Sequence, residues 1–212
     1  MRRIFQLRTP PKEAALYLAL FALSCLTYFT ISQVVTNPTE VFMPNWVPFV
    51  PALALPYLLQ VVVSYVLALA IEDAPRRRAV FYAYFAAFGV TCLVWYLHPT
   101  IMHRPEAVPT WYNWLYVRMV GMDAPVNVVP AGHILMPVLI IWAFWHDRPS
   151  WLWWLVPAEA VGMVGIVTTW QHRPLDVLMG ILMSLAWGFV FGVGRRQETP
   201  ARVSAAEEGA PA

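Results

Sequence analysis

Six apolar stretches, separated by turns that alternate between arginine-rich and arginine-poor, constrain this chain more than any other feature. They cover about residues 14–35, 53–71, 79–97, 131–146, 151–169 and 176–193. The hydrocarbon core of a bilayer is ~30 Å thick and takes ~20 helical residues to cross, so each stretch reads as a membrane-spanning helix. The shorter ones end in Trp or Arg, which accommodate a mismatch in length. Only 12% of the 212 residues are charged, about half the ~25% of a soluble domain. The expected class is all-α: a polytopic membrane protein of six transmembrane helices over residues 1–194. Residues 195–212 form a polar, Ala/Glu/Pro-rich tail with the composition of a disordered cytoplasmic segment. No internal repeat and no second domain are visible.

The charges between the stretches set an orientation. Arg2, Arg3, Arg8 and Lys12 precede the first, and Arg76, Arg77 and Arg78 lie between the second and third. Arg148 follows the fourth, and Arg195, Arg196 and Arg202 follow the sixth. Eleven of the 14 basic residues thus fall on one side, and only Arg104, Arg118 and Arg173 on the other. The positive-inside rule places both termini in the cytoplasm, so the expected protein is integral to a membrane with the arginine-poor segments on the outer face. The first stretch is longer than a signal-peptide core of ~7–15 residues and is expected to be retained. Cys25 and Cys92 sit inside apolar runs and read as small buried hydrophobes rather than a disulfide.

The outer side holds four of the five histidines: His98, His103, His133 and His172. His146 alone falls in an inner turn. Residues 108–121 place aromatic and apolar side chains at helical spacing, which suits a helix lying in the interface. Three outer clusters, "HPTIMHRP", "PAGH" and "TTWQHRPLD", sit at the ends of the third to sixth spans. Asp176 follows His172 by four residues and can accept an imidazole N–H, fixing its tautomer as the acid of a catalytic triad does. A histidine so held is a nucleophile toward phosphorus. His133, on another span, can protonate a departing oxygen. Gly132 lets the backbone approach an anion, and Arg104 offers a planar fork to phosphate oxygens.

Other readings stand beside these. Membrane-edge histidines can be interfacial only, and Asp176 suits the first turn of a helix as a partner for its dipole. Zinc is a rival use of histidine and aspartate, but the spacing matches no compact metal motif. Asp123 and Asn127 are expected to shape a turn. The run "PSWLWW" at 149–154 is an inner aromatic belt. Glu159, in mid-span, is a functional hypothesis by default. It lies ~20 Å along the helix from His172, so it is expected to be protonated or hydrogen-bonded within the bundle.

At these residues the chain resembles the type 2 phosphatidic acid phosphatase superfamily, in particular the branch of the inositol phosphorylceramide synthases and related bacterial membrane proteins. The likeness runs from about Asn37 to Gly180. "NPTEVFMPNWVPFVPALALPY" is similar to a segment in which Pro-Phe is followed by Pro and Tyr. "HPTIMHRP" resembles the Arg-Pro end of the first signature, and "DAPVNVVPAGH" the Asp-x-Pro-x-Asn-x-x-Pro-Ser-Leu-His form of the second. "HRPLDVLMG" resembles the His-Tyr-x-x-Asp-x-x-x-Gly end of the third.

The resemblance implies a six-helix bundle with a metal-independent site and no cofactor. In it His172 forms a phosphohistidine, Asp176 orients it, His133 serves as general acid and then base, and Arg104 binds phosphate. The substrate is a membrane lipid, and the acceptor is water in a phosphatase or a lipid hydroxyl in a head-group transferase. No nucleic acid is involved, and a homo-oligomer is compatible with the pattern. The chain departs from the family at Leu97, Ala131, Ile166 and Trp170, where a lysine, a hydroxyl residue and basic residues stand in relatives. Arg118 and Arg173 are the substitutes at hand. With fewer cations, a phosphodiester or head-group transfer fits better than a dianionic monoester. The alternatives are a phosphatase of lipid monophosphates or pyrophosphates, or a catalytically silent member that binds lipid or scaffolds a complex.

Overall fold

The computed structural model describes residues 9–195. Arg2, Arg3, Arg8 and the tail after Arg195 lie outside the described residues. Among the described residues there are seven α-helices: α1 (Pro11–Val34), α2 (Ala54–Leu69), α3 (Ala74–Leu97), α4 (Trp114–Met122), α5 (Leu135–Asp147), α6 (Leu152–Thr168) and α7 (Pro174–Phe191). Prolines set most of the starts. One stands at the first or second position of α1, α3 and α7, and of the 3-10 turns at Pro51 and Pro149 that lead into α2 and α6. Proline costs nothing there, because the first amides of a helix have no partner within it.

Among the described residues five helical segments are long and apolar enough to cross a membrane: Pro11–Val34, Pro51–Leu69, Ala74–Leu97, Pro149–Thr168 and Pro174–Phe191. They match five of the six expected spans. The fourth expected span, 131–146, is divided. A 3-10 turn, Gly132–Ile134, is followed by α5, whose 13 residues reach only ~20 Å. Short as it is, α5 is the hub of the bundle. It packs against α2, α3, α6 and α7, and Leu135, Leu139, Ile140 and Ala143 on it are fully buried. By contrast α1 leaves Leu16, Leu18, Leu23 and Leu26 exposed, an apolar face suited to lipid.

The interfacial helix expected over 108–121 is shorter, and begins only at Trp114. Trp111 before it and Trp114 at its start are both exposed. Charges expected in the inner turns pair with one another. Glu13 at the start of α1 meets Arg77 and Arg78 of α3, Arg76 meets Asp147 at the end of α5, and Arg148 meets Glu72. At the opposite end of α3, two-residue strands β1 (Thr39–Glu40) and β2 (Thr100–Ile101) pair in parallel. Glu159 is buried between α6 and α2 and accepts a hydrogen bond from Ser64 at 2.7 Å. Cys25 and Cys92 are free thiols.

Candidate active site

α6 ends in a turn that aims His172. The amide of Trp170 bonds to the Val167 carbonyl and that of Gln171 to the Ile166 carbonyl, the paired bonds of a Schellman cap. The residue at the turning point normally needs the left-handed conformation that glycine adopts freely. Here it is Trp170, with φ of 55°. Two residues later comes His172, and then Pro174 opens α7.

His172 is 4% exposed, and both ring nitrogens are engaged. Nδ1 lies 2.5 Å from the Val128 carbonyl oxygen, and Nε2 lies 3.2 Å from Nδ1 of His133. A carbonyl only accepts, so Nδ1 of His172 carries the proton and donates. Burial, and then the neighbouring His133, push this imidazole well below its ordinary titration range, against the pull of the Val128 carbonyl. The ring is neutral, so its Nε2 has a lone pair and accepts from Nδ1–H of His133. Nε2 of His133 is left as an acceptor, and it lies 3.1 Å from the Tyr57 hydroxyl, which donates to it. The whole chain of bonds thus runs one way: Tyr57 to His133 to His172 to Val128.

This chain starts at a cavity. A largely apolar space of about 290 Å³ opens between α1, α2, α3, α4 and α5. Its polar end is formed by Tyr28, Tyr57, Asp123 and His133, and its far end by Phe21, Tyr65 and Tyr84. From Tyr57 to Tyr65 it follows α2 for about 12 Å. His172 is not part of its lining.

Of the residues expected from sequence, His133 and His172 come together although they are 39 positions apart. Asp176 does not join them as expected. It is fully buried at the third position of α7, where its carboxylate accepts from the Arg173 amide at 2.8 Å and pairs with the Arg173 guanidinium at 2.8 Å. Pro174 starts the helix so close to His172 that Asp176 falls where it closes a capping box. The carbonyl of Val128 takes the place at Nδ1 that the carboxylate was expected to fill.

Arg104 also has a partner. Its guanidinium bonds to the Asp123 carboxylate at 2.9 Å and the Asp123 carbonyl at 2.8 Å, and Tyr28 donates to the same carboxylate. Arg118 is exposed on α4. Gly132 lines the cavity, and a side chain there would meet the Trp95 ring at 3.0 Å. Its smallness therefore serves packing on α3. His103 pairs with Glu40 on the surface, away from the cavity lining.

Sequence reasoning missed Tyr57, Tyr28 and the carbonyl of Val128, and weighed Asp123 only as a turn former. The "LPY" at the start of α2 was the available signal for Tyr57. A tyrosine there reads equally well as one more interfacial aromatic. Comparison with protein-family models, with curated proteins and with solved structures gave no match in any of the three.

Proposed function

We propose that this chain is an integral-membrane enzyme that breaks a phosphoester bond of a lipid through the His133–His172 pair, passing the phosphoryl group through a phosphohistidine to water or to a lipid hydroxyl. One observation carries the reading. Two histidines, one in the turn before α5 and one in the turn between α6 and α7, both singled out by their place in the sequence, meet at 3.2 Å beside an apolar cavity with a polar end. Imidazole is a nucleophile toward phosphorus and a proton carrier near neutral pH, and the cavity suits a hydrocarbon chain. The resemblance to the type 2 phosphatidic acid phosphatases supports the same reading. The proposal includes their six-span bundle, both termini in the cytoplasm, and histidines at the outer face of a bacterial inner membrane.

Arg104 is held by Asp123 and Arg173 by Asp176, so little positive charge is left to meet a phosphate dianion. This favours a phosphodiester, cleaved or transferred with its head group, over a monoester. The test incubates purified protein with lipid monophosphates, pyrophosphates and phosphodiesters, and follows free phosphate and new lipid products. Turnover of a diester is expected, and His133→Ala or His172→Ala should each lower it by more than about a hundredfold. Turnover undiminished in both variants would sink the proposal.

The same two ion pairs favour a second reading, a catalytically silent member that binds lipid in the cavity. Binding of a labelled lipid without any turnover across the panel would select it.

A further inference from the structure

Resting on that reading, we propose that the cavity is a length gauge for the substrate. It takes one hydrocarbon chain of the lipid to a depth of about twelve carbons, and the rings of Phe21, Tyr65 and Tyr84 stop anything longer. The gauge follows from the walls, the floor and the size of the space.

The walls run its whole length. Phe21, Ser24, Cys25 and Tyr28 of α1 line it, and Tyr57, Val61 and Tyr65 of α2 line it opposite. Both sets recur at the spacing of a single helix face. The floor is a cluster of packed rings. The centroids of Phe21 and Tyr65 lie 4.3 Å apart and those of Tyr65 and Tyr84 5.9 Å apart, and the Tyr65 hydroxyl is tied to the Tyr17 carbonyl at 2.7 Å. Rings in such contact leave no passage for a methylene chain between them. The other end is open. Phe29 of α1 and Met122 of α4 line the cavity and are 49% and 75% exposed, so a chain enters sideways past them.

Size then sets the length. A cavity of about 150 Å³ holds the six carbons of one benzene. A space of about 290 Å³ therefore holds about twelve. The depth agrees, because Tyr57 and Tyr65 are two turns apart on α2, ~12 Å. One leaflet of a bilayer is ~15 Å deep, so a chain that spans the leaflet is too long to be seated fully. Two chains side by side would each reach only half the depth. A single chain seated to the floor leaves its head beside Tyr57, Asp123 and His133, and so next to the histidine pair. The substrate class is thus a lipid phosphodiester with one chain of about twelve carbons or fewer. A second chain, where there is one, stays in the bilayer.

The test uses the full chain in a steroid detergent, which has no alkyl chain to compete. Tritiated single-chain phosphodiesters of six to sixteen carbons are the probes, and binding and turnover are both read. The twelve-carbon lipid should bind at least about tenfold tighter than the sixteen-carbon lipid, the cost of overfilling a packed site. Equal affinity for the two overturns the gauge. The limit in binding with no turnover of any lipid would leave the gauge standing and remove the enzyme reading. Turnover of all lengths alike would keep the enzyme reading and overturn the gauge.

Two variants should move the limit in opposite directions. Tyr65→Ala opens the floor into the space its ring fills against Phe81. It should bring the sixteen-carbon lipid to within about threefold of the twelve-carbon one. Ser24 lies one turn from Tyr28 toward the floor, ~6 Å, and its hydroxyl bonds back to the Leu20 carbonyl of its own helix at 2.9 Å. Ser24→Phe should fill the space beyond it and bring the preferred length down to eight carbons or fewer. It breaks no bond between helices, so it tests the gauge even where Tyr65→Ala does not fold. A limit that stays at twelve carbons in Ser24→Phe puts the chain elsewhere and overturns the proposal.

Discussion

Asp123 grips Arg104 twice, with its carboxylate at 2.9 Å and its backbone carbonyl at 2.8 Å. Both side chains are largely buried, and the grip fastens the loop after α3 to the loop before α5. Removing one partner leaves a largely buried charge without its ion-pair partner. Asp123→Ala should therefore lose about 3 kcal/mol of stability. The double change Arg104→Met with Asp123→Leu should lose less than either single change. Thermal unfolding in detergent measures both, and an unaltered Asp123→Ala melting curve would show the pair to be idle.

Asp176 gives a second test, because capping and orienting a histidine make opposite demands. Asp176→Ala removes the acceptor of the Arg173 amide and should cost about 1–2 kcal/mol. Asp176→Asn keeps an oxygen for that amide. It should leave turnover within about tenfold of the parent, against the ~10⁴-fold loss seen when a triad aspartate becomes asparagine.

His172 makes stability depend on pH in a set direction. In the unfolded chain its imidazole takes up a proton near its ordinary ~6.5; in the folded protein burial holds it neutral well below that. Above that pH neither state binds the proton, and His172 adds no slope. As pH falls through ~6.5 the unfolded state alone gains a proton, so stability falls toward acid. The melting temperature should drop between about pH 7 and 5, and drop less steeply in His172→Gln. Equal slopes in the two proteins would show that His172 is protonated in the fold.

Gly180 tests how the His133 turn is seated. A side chain on it would lie 2.7 Å from the carbonyl oxygen of Ala131, which is backbone and yields poorly. Gly180→Ala should cost about 1–3 kcal/mol by overpacking, and should lower turnover, because the displaced turn carries His133. Stability equal to the parent would mean that α7 and the turn are free to separate.

What the sequence made legible were features fixed by local rules. Length and apolarity marked five spans, and the arginine turns marked which loops share charge partners. The fourth span was harder. Apolar residues run on from Ile134, but Gly132–Ile134 turns as a 3-10 helix, and α5 closes at Asp147 against Arg76. Periodicity cannot show where hydrogen bonding changes type. In the site, His133 and His172 stood out because an ionisable group at a membrane edge is costly. Tyr57 is amphipathic and cost-free at the same depth, so it entered only as the last residue of a segment like one in the family and was given no role. Asp176 was ambiguous by construction. Four residues beyond a histidine is within reach of the ring, yet a proline between them starts a helix whose amides compete for the same carboxylate. Val128 contributes a backbone carbonyl, which no side-chain pattern reveals.

The two-residue ladder between β1 and β2 has a consequence for anyone altering this chain. Thr100 in β2 accepts the Asn127 amide on its carbonyl at 2.9 Å and the Val128 amide on its hydroxyl at 3.1 Å, and Val128 in turn holds His172. The loop before α2 is therefore the first link of a mechanical linkage that ends on an imidazole. A protease site or epitope inserted at 36–38, in a loop that looks dispensable, would pull on β1, and through Thr100 would loosen the ring it was meant to leave alone.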